Sequence, residues 1–140
     1  MVNNERKFLL PLAELIDRLT IDQIKEVLIS EHKESFVQEM GKICSDIDIV
    51  IKEKGLKLSS RLIRIIIAVS QMNVHIWYNK DQMQKDPEKY MELLKLSHQL
   101  NGVRNRMKNL LMEETGEKEK STERTNFNTD GLEGWGISIV

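Results

Sequence analysis

Apolar residues recur at helical spacing in four stretches of the chain. The clearest runs from about 33 to 53, where Phe36, Val37, Met40, Ile43, Cys44, Ile47, Val50 and Ile51 fall on one stripe. This pattern predicts an amphipathic helix that buries the stripe, with Gly55 as its C-terminal stop and Ser59 or Ser60 as the cap of the next. An earlier segment, 12 to 29, places Leu12, Leu15, Ile16 and Leu19 together, but Ile21, Ile24, Val27 and Leu28 are rotated away from them. Thr20 followed by Gln23 has capping-box spacing, so a break or a change of buried face is expected at Leu19 and Thr20.

The third stretch, about 60 to 84, carries Leu62, Ile63, Ile65, Ile66, Ile67 and Val69 in nearly every direction, the signature of a central helix contacted on several sides. Asp86 and Pro87 interrupt it. Pro87 is placed to open a fourth helix, about 87 to 113, whose apolar face holds Leu93, Leu96, Leu100, Val103, Met107, Leu110 and Leu111. So short a connection makes the third and fourth helices antiparallel neighbours.

Past Glu114 the composition becomes polar and charged, which reads as a flexible linker over 115 to 131. The closing residues 132 to 140 (LEGWGISIV) are apolar again. Trp135, Ile137, Ile139 and Val140 are expected to dock, with a neighbouring subunit the favoured surface. The chain therefore divides into a helical unit over 1 to 114, a linker, and a docking segment. Its fold class is all-α: a bundle of four main helices with a flexible C-terminal tail.

Composition agrees with helices. The 140 residues are 40% hydrophobic and 31% charged, with only seven Gly and two Pro. A formal net charge of −1 supplies no global field for nucleic acid or anionic lipid, so neither is an expected partner. One cysteine, Cys44, precludes an internal disulfide, and its place on the apolar stripe predicts an inert core thiol. No stretch reads as a targeting or membrane-spanning segment, and a cytoplasmic location is expected.

Polar residues interrupt the third and fourth helices in a patterned way. On a helical wheel Ser70, Asn73, Trp77 and Asp81 share a face, and Ser97, His98, Asn101, Arg104, Asn105 and Lys108 form a second stripe. If the hairpin turns about residue 86, Asn73 lies near His98, Ser70 near Asn101 and Trp77 near Leu94. Such residues can satisfy one another inside a helix pair, and two readings follow: buried amides that fix the alignment, or a pocket lined by Asn73, Trp77, Asp81, His98, Asn101 and Arg104. Lys52, Lys54, Lys57, Arg61 and Arg64 lead into the third helix while Arg104, Arg106 and Lys108 lie toward the end of the fourth. The antiparallel geometry gathers them at one pole, suited to a phosphate or carboxylate.

Chemistry of turnover has less to stand on. Glu31 and Glu34 form an E-x-x-E pair, followed by Asp46 and Asp48, partly like the acidic helices of all-α nucleoside triphosphate pyrophosphohydrolases. The second acidic element of that family is missing. His32, His75 and His98 have no zinc-ligand spacing, and neither a phosphate loop nor a nucleophile elbow occurs.

Asn73 to Trp77 (NVHIW), the acidic Asp81 and the run LNGVRN at Leu100 to Asn105 together resemble an uncharacterised bacterial helical family, the domain of unknown function numbered four-two-five-four. About 45 residues are covered, and this chain has one acidic residue where the family shows a pair. The resemblance implies interest in Asn73, Trp77, Asp81, Asn101, Arg104 and Asn105, and implies no activity.

The expectation is a small homo-oligomeric binding protein that holds a small anionic ligand such as a nucleotide, in the manner of a phage or bacterial accessory protein. Its ligand-binding residues would be Asn73, Trp77, Asp81, His98, Asn101, Arg104, Asn105, Arg61, Arg64 and Lys108. No catalytic residue, metal or cofactor is expected. The alternatives are a metal-dependent all-α nucleotide hydrolase and a pure protein-interaction module.

Overall fold

The computed structural model describes residues 5–117 and 136–138. Four α-helices account for most of them: α1 (Leu12–Leu28), α2 (Lys33–Lys54), α3 (Ser60–Lys85) and α4 (Tyr90–Glu114). No strand occurs among the described residues. The all-α, four-helix architecture is therefore as the apolar spacing requires.

Local chemistry sets the helix ends. Ser59 caps α3, its Oγ accepting from the backbone N–H of Leu62 at 3.1 Å. Gly55 closes α2 in the left-handed region, at φ 62°, where an L side chain is strained. Pro87 opens a 3₁₀ turn, Pro87–Lys89, and α4 begins only at Tyr90, three residues later than Pro87 itself suggested. Of the two outcomes expected at Leu19 and Thr20, the break does not occur: α1 is continuous there, and Ile24, rotated away from Leu12, Leu15 and Ile16, is buried as they are, while Val27 and Leu28 are exposed. Thr20 does not cap; its hydroxyl donates to the carbonyl of Asp17 at 2.7 Å, which an uninterrupted helix tolerates.

α3 and α4 form an antiparallel hairpin, and α1 lies against both. α1 runs antiparallel to α4, since Glu117 reaches Leu12 while Lys108 reaches Glu14 and Asp17. The main core sits where the three meet, with Leu15, Ile65, Val69 and Leu111 fully enclosed. Each such side chain stabilises the fold by roughly 1.5–3 kcal/mol relative to exposure. A second, smaller cluster of Met72, Ile76, Leu100 and Val103 holds the far end of the hairpin together.

α2 is attached differently. It packs antiparallel on α1, burying Met40, Ile43 and Val50, and its backbone approaches neither α3 nor α4 within 8 Å. The stripe on α2 is therefore only half covered: Val37 and Ile51 remain 50% and 40% exposed, and Cys44 is exposed rather than in the core. α3 is likewise contacted on fewer sides than its isoleucines suggested, with Ile63 and Ile67 at 41% and 59% exposure. Apolarity marks a face as able to be buried; here no helix among the described residues reaches it.

Order extends beyond the boundary expected at Glu114. Gly116, at φ 73°, turns the chain out of α4, and the Glu117 N–H donates to the carbonyl of Met112 at 2.9 Å. Residues 118–135 of the expected linker and docking segment, Trp135 among them, and Ile139 and Val140 lie outside the described residues. Within the segment, Ile137 packs against both core clusters of its own chain, and Ser138 accepts from Arg64 at 2.6 Å.

Candidate functional site

The first candidate is polar and lies inside the α1, α3, α4 core. Asn73 of α3 donates through Nδ2 to Asp17 Oδ1 at 2.8 Å and to Thr20 Oγ1 at 2.7 Å, both on α1. From α4, Lys108 places its ammonium 2.9 Å from Glu14 Oε1 and 3.5 Å from Asp17 Oδ2. Its residue exposure is 1%. A lysine so enclosed costs desolvation that only close carboxylates offset, and α1 supplies two. Arg104 completes the group, its Nη1 3.5 Å from Asn73 Oδ1 and its Nη2 3.5 Å from Asn105 Oδ1. Both contacts are long, and the buried Arg104 Nε finds no hydrogen-bond partner.

Of the ten residues expected to bind a ligand, four converge here: Asn73, Arg104, Asn105 and Lys108. The rest do not join them. Asp81 pairs with Lys85 at 2.9 Å on the surface, and His98 is exposed. Trp77 and Asn101 are half-buried. Arg61 pairs with Glu114 at 3.0 Å and Arg64 donates to Ser138, so of the cations expected to gather at one pole these two are engaged separately, and Lys108 turns inward. Asn79 Nδ2 donates to the Leu93 carbonyl at 2.7 Å near the turn, but Asn73 meets Arg104, nearly two turns further along α4 than His98.

The α1 half of this cluster is not among the residues the sequence points to as a site: Glu14 and Asp17 carry no expectation, and Thr20 is expected only as a helix cap. A carboxylate within the apolar stripe of α1 was the available signal. The acidic set proposed for hydrolysis does not converge either. Glu31, Glu34 and Asp48 are exposed, whereas Asp46 is fully buried and accepts from the backbone N–H groups of Lys7 and Phe8 at 2.7 and 2.6 Å. No group of three or more His, Cys, Asp or Glu side chains among the described residues is placed to hold a metal ion.

Another buried acid lies at the α1–α2 contact. Asp22 is 2% exposed, and its Oδ2 has no hydrogen-bond partner. Burial, reinforced by the Glu39 carboxyl of α2, pushes its pKa up to about 6, against smaller opposing effects of Lys25 and Arg18.

The second candidate is apolar. Between α2 and α3, floored by α1, a groove of about 830 Å³ opens to solvent. Leu19, Thr20 and Gln23 form its floor, Val37, Met40, Gly41 and Cys44 one wall, and Ile66, Ile67, Ser70 and Gln71 the other. It exists because α2 touches α1 but stands off from α3. Small residues at Gly41, Cys44 and Ser70 let a guest approach the backbone, while Met40 supplies an adaptable wall.

No family model, curated protein or solved structure matches the chain. No helix among the described residues is long and apolar enough to cross a membrane.

Proposed function

We propose that the chain is a binding protein without turnover, and that its working surface is the apolar groove between α2 and α3, which accepts an apolar helical segment. The carrying observation is the groove itself, about 830 Å³ bounded by the incompletely covered faces of two long helices. Exposed apolar surface of that continuity marks an interaction site, and a helix laid between two others is a recurrent way of filling it. The internal polar cluster fits the same reading, since its charges neutralise one another within the fold.

Titration of amphipathic helical peptides into isotopically labelled full chain tests this. Saturable shifts at Gly41, Cys44 and Ser70, lost on Met40→Glu, are expected. Shifts spread evenly over the surface, or none, refute it.

A second reading keeps the anionic ligand, because Arg104 offers a buried Nε without a hydrogen-bond partner beside the long contacts to Asn73 and Asn105. A nucleotide phosphate is the matching chemistry. Calorimetric titration with nucleoside triphosphates should show saturable binding lost in Arg104→Leu while the fold persists; no heat with the native chain removes this reading, and product formed in magnesium would favour the hydrolase.

A further inference from the structure

On α3 the residues facing α4 follow one seam, Ile65, Val69, Met72, Ile76 and Asn79, all buried. The opposite side of the same helix carries a second apolar line: Ile63, Ile67, Val74 and Tyr78. Ile63, Ile67 and Tyr78 are 41%, 59% and 52% exposed, and Val74 is half-buried. Fifteen residue steps at 1.5 Å make this ridge roughly 22 Å long. It borders the α2–α3 groove, of which Ile67 is itself a wall.

We infer that a second copy of this chain fills the groove, its α3 lying antiparallel against α3 of the first. The inference rests on the groove reading above and names its partner. A ridge and a groove side by side on one face have the property a two-fold interface needs: each copy offers the ridge and receives the other's. The spacing of the ridge is its own reverse. Turned end for end, Ile63 falls opposite Tyr78 of the second copy and Ile67 opposite Val74, with Ser70 and Gln71 at the centre, where small and flexible side chains allow close approach.

Charge is complementary in the same register. Arg64 comes beside the second copy's Tyr78 ring, and Asp81 comes to the N-terminal end of α3, where the helix dipole favours an anion. The present partners of these groups, Ser138 for Arg64 and Lys85 for Asp81, are surface contacts that re-pair at little cost. The area suits a reversible dimer. Ile63, Ile67, Tyr78 and Val37, each about half exposed, offer on the order of 300–400 Å² per copy; a symmetric pair counts that twice and adds part of the groove walls, an area below the roughly 1,200 Å² of stable interfaces and suited to a weak, reversible dimer.

The chain's single cysteine reports on this directly, since Cys44 lines the groove and is exposed in one copy alone. Full chain would be followed by light scattering across a concentration series, with the rate of Cys44 modification by a maleimide measured on the same samples. The expected result is a dimer at high concentration, with Cys44 modified at least about tenfold more slowly there than after dilution. Ile67→Asp, and separately Tyr78→Lys, should return the monomer and the fast thiol with the thermal midpoint of the isolated subunit retained. A monomer at every concentration overturns the inference, as does a dimer that both variants leave intact. In the first case the peptide titration still decides independently whether the groove receives a helix at all.

Discussion

Asn73 and Asp17, 56 residues apart in the chain, are joined by a buried hydrogen bond of 2.8 Å that ties the middle of α3 to the first half of α1. The same carboxylate faces the ammonium of Lys108, so Asp17 links α1 to both helices of the hairpin. A chain of this kind fixes one alignment among the many that apolar faces alone would allow.

Removing one member should therefore cost more than removing two. Lys108→Met leaves Asp17 and Glu14 facing each other without their cation and is expected to destabilise the fold by about 3–5 kcal/mol. Adding Asp17→Asn relieves the uncompensated charge. Urea unfolding of both single variants and the pair should give a double-mutant coupling on the order of 1–3 kcal/mol; additive effects would mean that the two side chains do not act together.

The fold was legible because helices announce themselves locally. The stripes, Ser59, Gly55 and Pro87 each act within a few residues, and the observed elements follow them. What could not be read is what those stripes meet. Cys44 belongs to the apolar face of α2, yet α2 docks at an offset that leaves that edge in solvent. Asn73 was recognisable as a buried polar residue, but its partners come from α1, and no local pattern relates positions 17 and 73. Counting back from the turn places Asn73 near His98; His98 instead faces solvent, and it is the long Arg104 side chain that reaches Asn73.

Asp22 makes stability depend on pH in a direction opposite to that of most paired carboxylates. Its folded pKa, about 6, lies above the ordinary 3.8 because burial disfavours the anion. The stability it contributes is therefore fully present below pH 3.8 and is lost as pH rises through about 6. Asp22→Asn keeps the shape without the charge. At pH 7.5 the variant should be more stable than the native chain by up to about 3 kcal/mol, and the gain should shrink toward zero near pH 4. Denaturant titrations at several pH values check this, and a gain independent of pH would assign the effect to packing instead.

Asp46 anchors the segment before α1. Its carboxylate accepts from the N–H groups of Lys7 and Phe8 and lies 3.6 Å from Arg6 Nε. In Asp46→Ala these donors and the cation lose a fully buried acceptor, so a loss of about 2–4 kcal/mol is expected. Hydrogen exchange should locate it: the amides of Lys7 and Phe8 lose protection first, while those of the α3–α4 hairpin change only with global stability. Unchanged exchange at Lys7 and Phe8 would show that the carboxylate does not hold the segment.

Glu117 performs for α1 what a capping residue performs elsewhere, but from the far end of the helical unit. Residue Pro11, at the cap position of α1, makes no side-chain cap bond. Instead the Glu117 carboxylate accepts from the N–H of Leu12 through Oε2 and of Ala13 through Oε1, both at 2.9 Å. A negative charge at this end also opposes the positive pole of the helix. The reach depends on Gly116, whose left-handed backbone turns Glu117 toward α1. Glu117→Ala should cost about 1–2 kcal/mol, the size of a lost cap with its charge, and Glu117→Gln roughly half as much because one acceptor oxygen remains. Gly116→Val, strained at positive φ, should approach the effect of Glu117→Ala although it removes no hydrogen-bonding group. Thermal unfolding of the three variants provides the comparison: if Glu117→Ala matches the native midpoint, the carboxylate contributes nothing, and α1 is held by its apolar face and by the contacts of Glu14 and Asp17.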